Sequence, residues 1–386
     1  MESRNSLRIL YTFGYFLDNL GGPTIHALKL CLAFKRAGHN VRLLGPSRQT
    51  LKIQKERTFP EWVIPIESGA GPIPLALSFR KAVAQQILNW KPDLLYARPA
   101  LKDAFAIHRV VSSDIPFFIE INTLTYHEQV RMGHPLRAVI SGLIEMWEIK
   151  HSQGAICMTE EIASRIRSKT RGKIPICTTG NGFDPDDIGL AKFDPAARRY
   201  LKTPDQARVL VFAGALQPWA GLDLLIPMLK EFKNVYLWII GKGLDFDRLR
   251  NLGDQFGVAS RLRWLKWIRS EMLYSFFAAA DIAVGPLALE RKKMKEAQPL
   301  KVRSYLGAGL PVLIGYKDTR LGQELRWVKR VDASSPGDLQ QSIKELLALP
   351  TRRVSFRRQI REFAISVLSW DRIAAETVSF IRKYTE

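Results

Sequence analysis

Acidic residues and cysteines are the scarce parts of this 386-residue chain, and long apolar runs are missing from it. The three cysteines, Cys31, Cys157 and Cys177, have neither close pairing nor metal-ligand spacing, which argues against a disulfide framework and a cysteine metal site. A reduced, cytoplasmic chain is expected. No uninterrupted apolar segment approaches the roughly 18–20 residues of a membrane-spanning helix. The N-terminal apolar stretch is broken by Asp18 and Asn19 before any small-residue cleavage site. The expectation is a soluble chain, or one peripheral on the inner face of a membrane. Tandem repeats and low-complexity tracts are absent as well.

Thirty-seven Asp and Glu stand against fifty-eight Lys and Arg, a formal charge of +21. Such an imbalance calls for an acidic partner: anionic lipid, nucleic acid or a polyanionic substrate. Basic and aromatic residues interleave in Arg261-Leu-Arg263-Trp264-Leu-Lys266-Trp267-Ile-Arg269, as they do on nucleic-acid surfaces. That run overlaps an expected strand, however, and no nucleic-acid-binding motif accompanies it. An anionic membrane surface is therefore the expected partner, and nucleic acid is not.

The length suits two domains. Strands are expected at 7–11, 41–44, 93–97, 116–121 and 154–158, with helices at 22–37, 78–89, 100–111 and 136–151 between them. This alternation predicts an α/β fold with a doubly wound parallel sheet, whose ligands sit outside the carboxyl ends of the strands. A polar, proline-bearing stretch then interrupts the pattern. Beyond it, strands at 208–212, 235–240, 261–265, 281–284 and 311–314 alternate with helices at 222–231, 245–256 and 271–280. The expected division is an N-terminal Rossmann-like domain over 1–185, a linker over 186–205, a second Rossmann-like domain over 206–365 and a terminal amphipathic helix within 366–386.

Several strand ends carry residues suited to chemistry. Gly21-Gly22-Pro-Thr-Ile-His26 opens a helix after the first strand. Tyr96-Ala-Arg98 ends the third expected strand, and Glu120-Ile-Asn122-Thr-Leu-Thr-Tyr-His127-Glu128 ends the fourth. Paired glycines at such a turn also occur for steric reasons, and His127-Glu128 also reads as a solvated loop pair. Thr179-Gly-Asn181-Gly182-Phe-Asp184 precedes the expected linker, where Asn-Gly by itself is only a turn former. In the second half, Glu296-Ala-Gln-Pro-Leu300-Lys301-Val-Arg-Ser304 opens a helix bounded by glycine and Pro311; its free N-terminal amides suit a nucleotide diphosphate. Ile240-Gly241-Lys242-Gly243 has Phe246 in the third glycine's place, which argues against a dinucleotide fingerprint. Asp245 and Asp247 read as an N-cap and a first-turn acid, and no metal site is expected.

Taken in order, these motifs resemble the GT-B glycosyltransferases, particularly the large retaining family 4. The resemblance implies two Rossmann-like doubly wound domains facing across a cleft, with the C-terminal helix crossing back to the N-terminal domain. It further implies metal-independent, cofactor-free transfer of a sugar from a UDP- or GDP-linked nucleotide sugar to a glycan or lipid-linked acceptor in polysaccharide or glycolipid assembly. On that basis Glu296, Asn122 and His127 are expected to be catalytic. Gly22, Asn181, Gly214, Lys242, Leu300, Lys301 and Ser304 would bind donor, and His26, Arg98 and Glu120 acceptor. The chain departs from the family pattern in three places. Ser304 stands where the second Glu of a Glu-x7-Glu pair belongs. Ala215 and Ala220 replace an Arg and a Lys that neutralise the diphosphate, leaving Lys301 and Lys242 as the nearest substitutes. Asn122 replaces a histidine; it can hold a hydroxyl but cannot shuttle a proton. A GT-B domain that has lost catalysis and acts as a scaffold in polysaccharide assembly is the alternative.

Overall fold

The computed structural model describes residues 6–19, 21–48, 59–67, 72–98, 114–124, 126, 129–130, 133–266, 268, 270–322, 324–332 and 334–385. The helix expected at 100–111, and His127 with Glu128, lie outside the described residues. The chain forms two compact units, Met1–Gly180 with Trp370–Glu386, and Asn181–Ser369.

The first unit is built on a seven-stranded sheet. Its strands are β1 (Arg8–Phe13), β2 (Asn40–Ser47), β3 (Val63–Glu67), β4 (Leu94–Arg98), β5 (Phe117–Ile121), β6 (Gly154–Cys157) and β7 (Ile176–Thr178). They pair in parallel in the order β3-β2-β1-β4-β5-β6-β7. Strands β4, β5 and β6 are buried along their whole length, which is why they read as continuous apolar runs. β3 escapes a sequence reading because Pro65 interrupts it. It survives as an edge strand, where a missing N–H breaks no ladder. Around the sheet lie α1 (Gly22–Arg36), α2 (Pro72–Trp90), α3 (Pro135–His151) and α4 (Glu160–Thr170). Helix α1 starts from an extended Gly21 with Pro23 in its first turn, and carries Lys35 and Arg36 in its last. The C-terminal helix, Trp370–Lys383, packs on α1 in this unit: Trp370 is buried and Arg36 pairs with Asp371 at 2.7 Å.

The second unit holds a six-stranded sheet of β8 (Arg208–Ala213), β9 (Val235–Ile240), β10 (Leu262–Leu265), β11 (Ile282–Val284), β12 (Val312–Ile314) and β13 (Val328–Arg330). The strands are all parallel, in the order β10-β9-β8-β11-β12-β13. Its helices are α5 (Ala196–Tyr200), α6 (Leu222–Met228), α7 (Phe246–Gln255), α8 (Ser270–Ala279), α9 (Leu300–Gly307), α10 (Pro336–Ala348) and α11 (Val354–Leu368). The stretch 186–205, polar and proline-bearing in sequence, belongs to this unit rather than standing apart as a linker. The reason is Arg198 of α5, which is fully buried and bonds Asp281 at 2.7 Å and the Ala207 carbonyl at 2.7 Å.

In each sheet the strand order reverses once, between β1 and β4 and again between β8 and β11. Doubly wound sheets bind ligands beyond the carboxyl ends of the strands at such a reversal. Those ends are the turn into α1 with Arg98 in the first unit, and Gly214 in the second. The loops after β8 and β9 are pressed together there. Gly241, at φ +152°, leaves no room for a Cβ against the Gly214 carbonyl, so Gly241-Lys-Gly243 serves close backbone packing.

Candidate functional site

In the first unit the structure gathers three of the expected residues around the carboxylate of a fourth, Glu120. Glu120, near the end of β5, is buried. Its Oε1 lies 2.8 Å from His26 Nε2 of α1 and 3.8 Å from Arg98 at the end of β4, and it accepts a hydrogen bond from the Asn122 amide. Its Oε2 accepts from the Tyr11 hydroxyl of β1 at 2.8 Å. Burial alone would raise the Glu120 pKa, but His26, Arg98 and the Tyr11 hydroxyl together bring it down to about 2. The same burial and the neighbouring Glu120 charge push the Tyr11 phenol well up. The His26 ring meets Trp370 of the C-terminal helix edge to face at 5.0 Å, and Arg98 also donates to the Pro23 carbonyl at 3.2 Å. Because its N–H group is committed to Glu120, the half-buried Asn122 keeps its Oδ1 as the hydrogen-bond acceptor it can offer. Tyr11 carries no spacing signal in the sequence and is found only through this cluster. Gly22 is the exposed first residue of α1.

In the second unit Gly214, Leu300 and Lys301 meet at the start of α9. Pro299 supplies no side-chain cap. The first backbone bond of the turn is Val302 N–H to the Pro299 carbonyl, so among the described residues the amides of Leu300 and Lys301 have no acceptor. The Lys301 amino group lies 3.9 Å above the Phe212 ring and against Gly214, where an added Cβ would collide with it. It has no carboxylate partner among the described residues, and burial pushes its pKa from 10.5 down to about 7. Glu296 is buried with its Oε1 3.0 Å from the ammonium of Lys317. The Ser304 hydroxyl is turned back onto its own helix, donating to the Leu300 carbonyl at 3.2 Å.

Asn181 and Lys242 have other partners. The Asn181 amide donates to the Gln298 carbonyl at 2.7 Å, while its own carbonyl accepts from Arg303 at 3.0 Å. Arg303, fully buried, also holds Asp318 at 2.6 Å and the Gln298 side chain at 2.7 Å, which fixes the loop between Glu296 and α9. Lys242 is exposed and its carbonyl accepts from Leu216 N–H at 3.0 Å. Asp245 stands at the N-cap of α7 and Asp247 in its first turn, as expected, but the Asp245 side chain makes no cap bond and clasps Arg248 at 2.8 and 2.7 Å. No cluster of three or more His, Cys, Asp or Glu suited to a metal ion occurs among the described residues.

Two parallel Rossmann-like units, each with its candidate residues at the strand-order reversal, define a GT-B fold. Sucrose-phosphate synthase of Thermosynechococcus elongatus superposes with a TM-score of 0.76 over 98% of both chains at 14% identity. HepE of Anabaena, solved in complex with UDP-glucose, superposes with a TM-score of 0.67 at 15% identity, over 97% of this chain and 99% of its own. The pattern of glycosyl transferases group 1 matches residues 194–363, and that of glycosyltransferase family 4 matches residues 20–187. The chain belongs to the GT-B glycosyltransferases of the family 4 kind. The lipopolysaccharide core biosynthesis glycosyltransferase LpsD of Rhizobium meliloti is 30% identical over 138 residues, 34% of this chain and 36% of LpsD. Matches to such curated relatives span about a third to a half of their length.

Proposed function

We propose that this protein is a retaining glycosyltransferase that moves a sugar from a nucleotide diphosphate donor to a glycan or lipid-linked acceptor at a membrane surface. The observation that carries this reading is Lys301: a partly buried lysine whose amine lies over the Phe212 ring without a carboxylate partner among the described residues, beside Gly214 at the strand-order reversal. An amine so placed gains most from a bound anion. As the bond from the sugar to the diphosphate breaks, the leaving group gains negative charge. Lys301 and the free amides of Leu300 and Lys301 would stabilise that charge without a metal. Glu296 would hold a hydroxyl of the transferred sugar, displacing Lys317 from its carboxylate. Ser304 would reach the ribose more weakly than the family's carboxylate, and Gly214 would let the diphosphate approach the backbone. In the first unit the Glu120 cluster would serve the acceptor, with Asn122 offering its amide oxygen to a sugar hydroxyl. The bound UDP-glucose of HepE and the lipopolysaccharide role in the name of LpsD support this donor and acceptor chemistry.

The scaffold alternative draws on Ala215, Ala220 and Ser304, where the family's charged residues are missing. A thermal-shift panel of UDP-, GDP- and ADP-sugars separates the two readings. A ligand at about a hundred times its Kd adds about 2.7 kcal/mol to the stability of the folded state. One sugar nucleotide should raise Tm and be hydrolysed or transferred. Stabilisation without turnover would favour the scaffold, and no stabilisation by any of them would remove the donor site.

A further inference from the structure

The first half of helix α3 turns its aliphatic residues outward. Its large aliphatic residues Leu136, Val139, Ile140 and Leu143 are 76, 49, 46 and 68% exposed. They are spaced i, i+3, i+4 and i+7, which puts them on a single stripe. Ala138, Ser141, Glu148 and Ile149 are buried on the inward side, and in the second half of the helix Met146 and Trp147 also pack against the core. Tyr126 and Val130, 41 and 45% exposed, extend the apolar surface ahead of the helix, and Tyr126 packs over Gly142. Scattered exposed aliphatics need no explanation, but a contiguous patch of this kind marks a contact surface.

The charges bordering the stripe say what covers it. Glu145 and Glu148, the acids of α3, project away from the stripe. Arg137 stands exposed beside Leu136, and an exposed Lys150 lies near the far end of the helix, beyond Trp147, which is partly buried against the core. An exposed apolar band with no acid among the described residues of its face, edged by cations, suits the headgroup region of an anionic bilayer. A second copy fits less well, since each chain carries +21. No helix among the described residues is long and apolar enough to cross a membrane, so α3 would lie along the surface.

We propose that the outward stripe of α3 is a membrane-docking surface that settles into the headgroup layer of an anionic bilayer. This deepens the membrane part of the proposed function and rests on it, but not on the donor chemistry. Docking through α3 would bring the first unit, which carries the Glu120 cluster, to the layer where a lipid-linked acceptor resides.

The test is co-sedimentation of the full chain with phosphatidylcholine vesicles of rising phosphatidylglycerol content. Wild type should bind more as anionic lipid rises, and part of that binding should persist at high salt. The double variant Leu136→Ser/Leu143→Ser should bind about tenfold more weakly or worse, because the binding scales with buried apolar area. It should then be fully released by salt. Leu244→Ser, at an 87% exposed leucine of the second unit, should bind as wild type. Far-UV circular dichroism checks the fold, and Val139→Thr/Ile140→Thr gives the same readout should the first variant unfold. Equal vesicle binding by wild type and both stripe variants would overturn the α3 assignment and leave charge alone as the anchor. Absence of wild-type binding at every lipid composition would overturn the membrane reading as well. If sedimentation then shows a dimer that Leu136→Ser/Leu143→Ser dissolves, the stripe is an interface between copies.

Discussion

The Nε2 of His26 lies 2.8 Å from Oε1 of Glu120, with side chains only 5 and 2% exposed. This pair joins α1 to β5 and, through the Trp370 ring, both to the C-terminal helix. Glu120 titrates near 2 in the fold, against an ordinary 4.5. A depressed carboxylate stabilises the fold fully above its unfolded pKa and loses that share as pH falls through the folded value. Glu120→Gln should therefore cost about 3 kcal/mol at pH 7, with less than about half of that gap left at pH 3. Urea titrations at the two pH values measure it; an equal gap at both would mean that the Glu120 charge is not what stabilises the cluster.

Glu296→Gln should lower turnover about tenfold or more, since a charged hydrogen bond to a sugar hydroxyl contributes roughly 1.5–3 kcal/mol. Its present partner Lys317 is 54% exposed, so the pair adds little to stability and Tm should barely move. Steady-state kinetics with unaltered turnover would take Glu296 out of the site.

Lys301 titrates near 7 because it is enclosed, and a diphosphate would favour its charged form. Binding of the sugar nucleotide should then weaken above pH 7, by up to about tenfold per pH unit. Lys301→Met should bind more weakly and lose this dependence. Calorimetric titrations between pH 7 and pH 9 decide it: a flat wild-type profile would mean that Lys301 is not the phosphate cation.

Ser304→Glu would restore the family's acidic pair. The present hydroxyl is turned back to the Leu300 carbonyl, while a carboxylate reaching a ribose hydroxyl should tighten nucleotide binding about tenfold. Weaker binding in a calorimetric titration, with an intact fold, would show that α9 is aligned differently on the donor.

Asp281 is fully buried and meets Arg198 at 2.7 Å, Arg352 at 2.8 Å and Arg208 at 3.1 Å. Asp281→Asn leaves these cations unmatched and should cost roughly 3–5 kcal/mol, a fall of about 10 °C in Tm. Glu376→Gln, which breaks the exposed pair with Arg372, should leave Tm unchanged in the same calorimeter. A small effect at Asp281 would mean that water reaches the cluster.

The alternation of apolar strands and amphipathic helices was legible in the sequence because both depend on neighbours a few residues apart. So were the turn glycines, although the backbone that Gly241 and Gly243 make room for, at Gly214 and Leu216, is set by the tertiary structure. β3 was not legible, because Pro65 breaks a strand pattern everywhere except at a sheet edge, and sequence does not say which strand is at the edge. The candidate site was legible as separate motifs, one at each strand end. Tertiary structure alone brought Tyr11 to Glu120 across 109 residues, set the Lys301 amine against Gly214 and buried Arg198 on Asp281. It also decided which face of α3 meets solvent. Periodicity marks an apolar stripe but not its direction, because that depends on what the rest of the chain packs against the helix.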